Sequence, residues 1–133
     1  MTQFIDATII KGKKRIFTAS IQQLDETETV FEPMNLDEFA IHFKVLGSAT
    51  ADAKVLVEHI ITQVSDIEVD GLITNPANGE FSFTITEEDT HTLGLGNHPI
   101  MIDFHDINTD KYIFTLTEGG LNGEFNKINV VEV

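Results

Sequence analysis

Four stretches of this chain alternate apolar and polar residues with a period of two, the mark of a strand with one buried face. In EFAIHFKV, Phe39, Ile41, Phe43 and Val45 share one face, and Glu38, Ala40, His42 and Lys44 share the other. EFSFTIT sets Phe81, Phe83 and Ile85 against Glu80, Ser82, Thr84 and Thr86. PIMIDFHD sets Ile100, Ile102 and Phe104 against Met101, Asp103 and His105, and KYIFTLT continues with Tyr112, Phe114 and Leu116 inward. Alternation of this kind belongs to half-buried antiparallel strands. The predicted core therefore holds Phe39, Phe43, Phe81, Phe83, Ile85, Ile102, Phe104 and Phe114.

Further strands are predicted near residues 3–11, 15–24, 54–61 and 125–133, where β-branched and aromatic residues are dense. In KVLVEHII, the residues Val55, Leu56, Val57, Ile60 and Ile61 fit an amphipathic helix nearly as well as a strand buried on both sides, and the strand is preferred. Turn signals separate the runs: DETET at 25–29, Pro33 to Asn35, Asp70-Gly71, NPANG at 75–79, INTD at 107–110 and GGLNG at 119–123. The pattern predicts an all-β antiparallel sandwich of about seven to nine strands. One short helical turn interrupts it: Thr86 stands three residues before Asp89, as in a capping box, with the turn running through Leu93. Gly94 and Gly96 follow that turn, whereas a phosphate-cradling Gly-x-Gly precedes a helix, so the junction reads as architecture.

The 133 residues make one domain, 1–133, with no linker, repeat or low-complexity segment. Cysteine is absent, which removes thiol nucleophiles, thiolate metal sites and disulfides. A net charge of -14 argues against nucleic acid and anionic lipid surfaces as partners. The start MTQFIDATIIKGKKR has its basic residues after the apolar stretch, the reverse of a secretory signal, and no run has the length of a membrane span, so a soluble protein not exported by that route is expected. Half of the eight basic residues sit in KGKKR, at Lys11, Lys13, Lys14 and Arg15. The simple expectation is a solvated turn bent at Gly12; the sharper one is an interface that meets an acidic patch on another copy.

No catalytic centre is predicted. The histidines, His42, His59, His91, His98 and His105, fall in different segments without zinc-protease spacing, and the expectation is scattered surface histidines. His42 and His105 both lie on outward strand faces, where they could meet with Asp103 beside them. Ser20, Ser48, Ser65 and Ser82 lack a nucleophile-elbow context. DINTD places Asp106, Asn108 and Asp110 as a calcium loop would, but Lys111 and Thr117 replace the required Gly and Glu, so it reads as a polar hairpin turn. Neither cofactor nor metal is expected.

The order of Asn78-Gly79, an alternating strand, the TEEDT turn with Leu93, Gly96, a strand ending in Ile102-Asp103-Phe104, a further strand, Gly119-Gly120 and a terminal run ending VVEV resembles the immunoglobulin-like module of phage virion proteins. Its closest likeness is to the N-terminal domain of baseplate upper proteins, with ATIIKG and RIFTASI matching that family's opening strand, glycine and second strand, and Asn35-Leu36 loosely matching the step before its third. Lys13-Lys14 and His98-Pro99 stand where the family has a small polar residue and an aromatic. The resemblance implies an immunoglobulin-like sandwich and a non-enzymatic tail or baseplate component that binds its own copies, as a trimer or hexamer, and other virion proteins. It places the chain in the virion, and in host cytoplasm during assembly. The alternatives are a carbohydrate- or cell-surface-binding module and a head or collar decoration protein. The absence of Trp, with Tyr112 the one tyrosine, disfavours sugar recognition.

Overall fold

The alternating segments become strands in a computed structural model of the chain, which describes residues 6–24, 26–47, 54–116 and 126–132. In chain order they are β1 (Asp6–Ile10), β2 (Arg15–Ser20), β3 (Gln22–Leu24), β4 (Phe31–Pro33), β5 (Phe39–Leu46), β6 (Val55–Ile61), β7 (Gly71–Asn75), β8 (Glu80–Ile85), β9 (Gly96–Asp106), β10 (Tyr112–Leu116) and β11 (Lys127–Val131). A 3-10 turn at Pro76–Asn78 precedes β8, and the helix α1 (Glu87–Leu93) follows it. The larger sheet has the order β1-β11-β9-β5-β6, with β10 also paired to β9; β2-β8-β7 form a second sheet, and β3-β4 a small hairpin-like pair.

The predicted inward residues make the core of this all-β, sandwich-like fold. Phe43, Phe81, Phe83, Ile85, Ile102 and Phe104 are buried, with Phe39 and Phe114 packed against them. Phe83 of the smaller sheet stacks on Phe43 of the larger, ring centroids 4.5 Å apart, and on its strand neighbour Phe17 at 5.0 Å. At the other end Phe104 stacks on Phe114 at 4.6 Å, and Phe39 meets both rings edge-on. The capping box forms as its spacing predicts: the Asp89 N–H donates to Thr86 Oγ1 at 3.1 Å, and the Thr86 N–H to Asp89 Oδ2 at 2.9 Å.

Four expectations are corrected. The described residues hold eleven strands, because the run expected at 15–24 breaks into β2 and β3, and because β4 and β7 occupy segments expected as turns or left unassigned. Strands of three to five residues are too short for alternation to register, and they exist because a partner pairs them. Pairing is not antiparallel throughout: β1 runs parallel to β11, with Ala7 opposite Ile128 and Ile9 opposite Val130. Period-two burial specifies a face and leaves direction open. Ser82 and Thr84, expected outward, are buried, because β7 and the turn before it lie against them: Thr84 Oγ1 donates to the Ile67 carbonyl of the turn at 2.6 Å, and the Leu72 N–H of β7 donates to Ser82 Oγ at 3.2 Å. Asp103, also expected outward, is buried under its neighbours.

Gly71 is required for this close approach. Its φ of +121° is unfavourable for other residues, and a Cβ there would lie 2.3 Å from the Ser82 carbonyl oxygen. Residues 3–5, Asp25, Ser48, the GGLNG turn, residues 125 and 133 and the Leu116 side chain lie outside the described residues.

Phe83 is 1% exposed between two stacked rings. Phe83→Ala is expected to cost about 3–5 kcal/mol of stability, measured by denaturant unfolding.

Candidate functional site

Two histidine clusters lie on opposite faces of the larger sheet, because β5 and β6 alternate in register: His42 sits across from Ile60 and Phe43 across from His59. On the outward face, His42 of β5 and His105 of β9 stack with ring centroids 3.7 Å apart and planes 17° from parallel. Tyr112 of β10 meets His105 edge-on at 5.9 Å. Asp110, from the turn between β9 and β10, directs Oδ1 to within 3.6 Å of both His42 Nε2 and His105 Nδ1. The three donor atoms lie within 4.8 Å of one another, and among the described residues this is the one such group with metal-ligand chemistry. Glu58 Oε2 stands 3.5 Å from His42 Nδ1.

His42 and His105 are therefore brought together, against the expectation of scattered histidines. Asp103 is not the carboxylate that joins them. It pairs with Lys44 at 2.8 Å and accepts from Thr115 Oγ1 at 2.5 Å. Burial disfavours its charge, but the Lys44 ammonium and the Thr115 hydroxyl hold its pKa below the usual carboxylate range. The hydrogen bond to Asp103 in turn raises the pKa of Lys44.

On the inward face His59 takes a position that alternation reserves for an apolar residue, between Val57 and Ile61. It is 7% exposed, and each ring nitrogen meets a carboxylate: Nδ1 lies 2.8 Å from Asp70 Oδ1 and Nε2 2.6 Å from Asp89 Oδ2. An imidazole with an acceptor on each nitrogen is fully satisfied only as the cation. Burial opposes that charge, yet the hydrogen bonds to Asp89 and Asp70 outweigh it and raise the His59 pKa. Burial also opposes charge on Asp89, while His59 and the Thr86 N–H lower its pKa. One carboxylate thus caps α1 and anchors it to β6. Sequence inspection missed this cluster, because His59 lies in an ambiguous apolar run and its partners are remote along the chain.

The expected basic cluster is partly committed within the molecule. Lys14 pairs with Glu68, and Arg15 donates to the Thr8 carbonyl at 2.6 Å and lies over the Phe17 ring. Lys11 and Lys13 are exposed. Gly12, at φ +84°, turns the chain and donates its N–H to buried Thr90 Oγ1, tying the turn to α1. In DINTD, Asp106 Oδ1 accepts from the N–H groups of Asn108 and Thr109, which lowers its pKa and makes it a turn residue as expected. Ser65 and Ser82 are occupied by backbone hydrogen bonds. His98 is buried against the Gly94 carbonyl, and His91 is exposed on α1. No helix among the described residues is long and apolar enough to cross a membrane. Comparison with protein-family models returned no match, and comparison with curated proteins returned none either.

Because the folded pKa of His59 lies above its ordinary 6.5, its stabilisation is complete below about pH 6.5 and is lost as pH rises through the raised value. The Asp89 contribution has the opposite sense: it is present above the ordinary 3.8 and is lost as pH falls through the lowered value. Unfolding free energy measured against pH is expected to decline on the alkaline side in the wild type, and His59→Gln should abolish that part of the decline. Asp89→Ala removes the reciprocal half of the capping box and a His59 partner together, while the Thr86 cap remains, and should still cost more than the roughly 1 kcal/mol typical of a cap alone.

Proposed function

We propose that this chain is a non-enzymatic structural module of a tailed-phage virion, acting by contact with its own copies and with neighbouring tail or baseplate proteins. The reading rests on the resemblance of its motifs to the immunoglobulin-like module of baseplate upper proteins, and the sandwich-like fold supports it. One sandwich architecture serves many roles, so function must come from surfaces. The observation that carries the proposal is the placement of exposed apolar side chains on or beside edge strands: Phe31 on β4 with Val30 just before it, Ile60 on β6, and Tyr112 and Ile113 on β10. Such strands are ready for pairing with a neighbouring chain. The carbohydrate alternative calls for a stacking platform; Phe31 and Tyr112, the exposed aromatics among the described residues, belong to different sheets.

Within an acidic molecule the exposed Lys11 and Lys13 are the candidate contact for an acidic patch on a neighbour, while Lys14 and Arg15 hold the turn in place. Such contacts affect association more than folding, and weaken with salt. The test is mass spectrometry of purified particles from cells that carry the gene. The protein is expected in the particles, and Lys11→Glu with Lys13→Glu is expected to reduce its incorporation while leaving the isolated chain folded. Normal incorporation of the double variant would remove the basic contact from the proposal, and absence of the wild type from particles would overturn the virion reading itself.

A further inference from the structure

We propose that His42, His105 and Asp110 bind one divalent first-row transition-metal ion, with zinc as the representative case. Around an ion with bonds of about 2.1 Å at tetrahedral angles, donor atoms stand about 3.4 Å apart. Each histidine nitrogen is already 3.6 Å from Asp110 Oδ1, so those two edges of the polyhedron are nearly formed. The third edge requires movement. The rings are stacked, so their in-plane lone pairs run side by side, and they must fan apart for the lone pairs to converge on an ion.

Little resists that motion at His105. Its Nε2 is buried without a hydrogen-bond partner, so tilting the ring breaks no bond there. Its Nδ1 faces the Asp110 carbonyl at 3.3 Å, a long contact that a metal bond would replace. At His42, Glu58 stands behind Nδ1 while Nε2 faces Asp110. A carboxylate behind a ligating imidazole fixes the tautomer and leaves the other nitrogen free to coordinate.

Two nitrogens and one carboxylate favour zinc-like ions over calcium or magnesium, which prefer oxygen donors. The site shares Asp110 with the calcium-loop pattern of DINTD but not the pattern's first residue, Asp106, which accepts backbone hydrogen bonds within its turn. Two ligands stand on adjacent paired strands and the third on the turn joining β9 to β10. The Asp110 side chain is 80% exposed, so the remaining coordination positions open toward solvent. A bound ion would fasten the β9–β10 turn to β5.

The experiment is titration of the full chain with zinc, followed by calorimetry and by histidine side-chain nitrogen resonances. One equivalent is expected to bind, shifting His42 and His105 while leaving His91 unmoved, with magnesium and calcium giving no such shifts. His42→Ala and Asp110→Asn should each weaken zinc binding by at least about tenfold. The acidic surface offers non-specific carboxylate binding, and the nitrogen resonances distinguish it. Wild-type protein that binds zinc without shifting His42 and His105, or shows no binding at millimolar zinc, would overturn the proposal. So would unchanged affinity in Asp110→Asn, whose exposed position on a turn leaves folding intact.

Discussion

The contact between Phe43 and Phe83 is the constraint on which the other arrangements depend. It joins β5 of the larger sheet to β8 of the smaller, and both rings are excluded from water, so it fixes which face of each strand is inside. Once Phe43 points inward, the β5–β6 register places His59 inward beside it. The same alternation sends His42 outward, and the β5–β9 register then brings it to Asp103 and near His105. Both histidine clusters thus follow from a single decision about which side of the sheet is buried.

Charge is the second constraint. With acidic residues outnumbering basic ones so heavily, burying any carboxylate requires a cation close by. Lys44 supplies it for Asp103 on the outer face, and His59 supplies it for Asp89 and Asp70 between β6, α1 and the turn before β7. The two cations differ in what they can hold: lysine keeps its charge through neutral pH, whereas histidine loses it near there. The attachment of α1 to β6 consequently weakens as pH rises through the raised His59 pKa. Thr90 shares the consequence, since its hydroxyl accepts from Gly12 and donates to the Glu87 carbonyl, linking the β1–β2 turn to the same helix.

Much of the frame was legible in the residue pattern, and the reasons are local. Phe39 to Val45 and Phe81 to Ile85 alternate over several residues, and the Thr86–Asp89 spacing defines a cap within one turn. What escaped detection depends on contacts between distant segments. The parallel pairing of β1 with β11 joins distant segments of the chain, and burial of Ser82 and Thr84 depends on β7 and the turn before it packing against them. His59 was hidden because an inward histidine cannot be told from an outward one until the register of β6 is known. The shared outward faces of His42 and His105 allowed them to meet, although scattered histidines were the expectation, and the carboxylate noted beside them is not the one that joins them. Asp103 lies beside His105 in sequence, yet the facing Lys44 claims it, leaving the turn residue Asp110 to complete the group.

The direction of Asp110 is set by the chain itself. Asp106 draws in the N–H groups of Asn108 and Thr109 through its side chain, and its carbonyl accepts from the Asp110 N–H at 2.9 Å. That tight turn leaves Asp110 at φ +56°, a left-handed conformation that aspartate tolerates better than most residues. Its carboxylate consequently lies against the stacked rings: the first aspartate of DINTD shapes the turn, and the last faces His42 and His105. A turn whose geometry is internally satisfied can present a ligand without depending on that ligand's occupant, so the outward face keeps its shape with or without an ion. The proposed metal site then asks only that the stacked imidazoles fan apart over a turn that is already in place, and at His105 the far nitrogen holds no hydrogen bond against that motion.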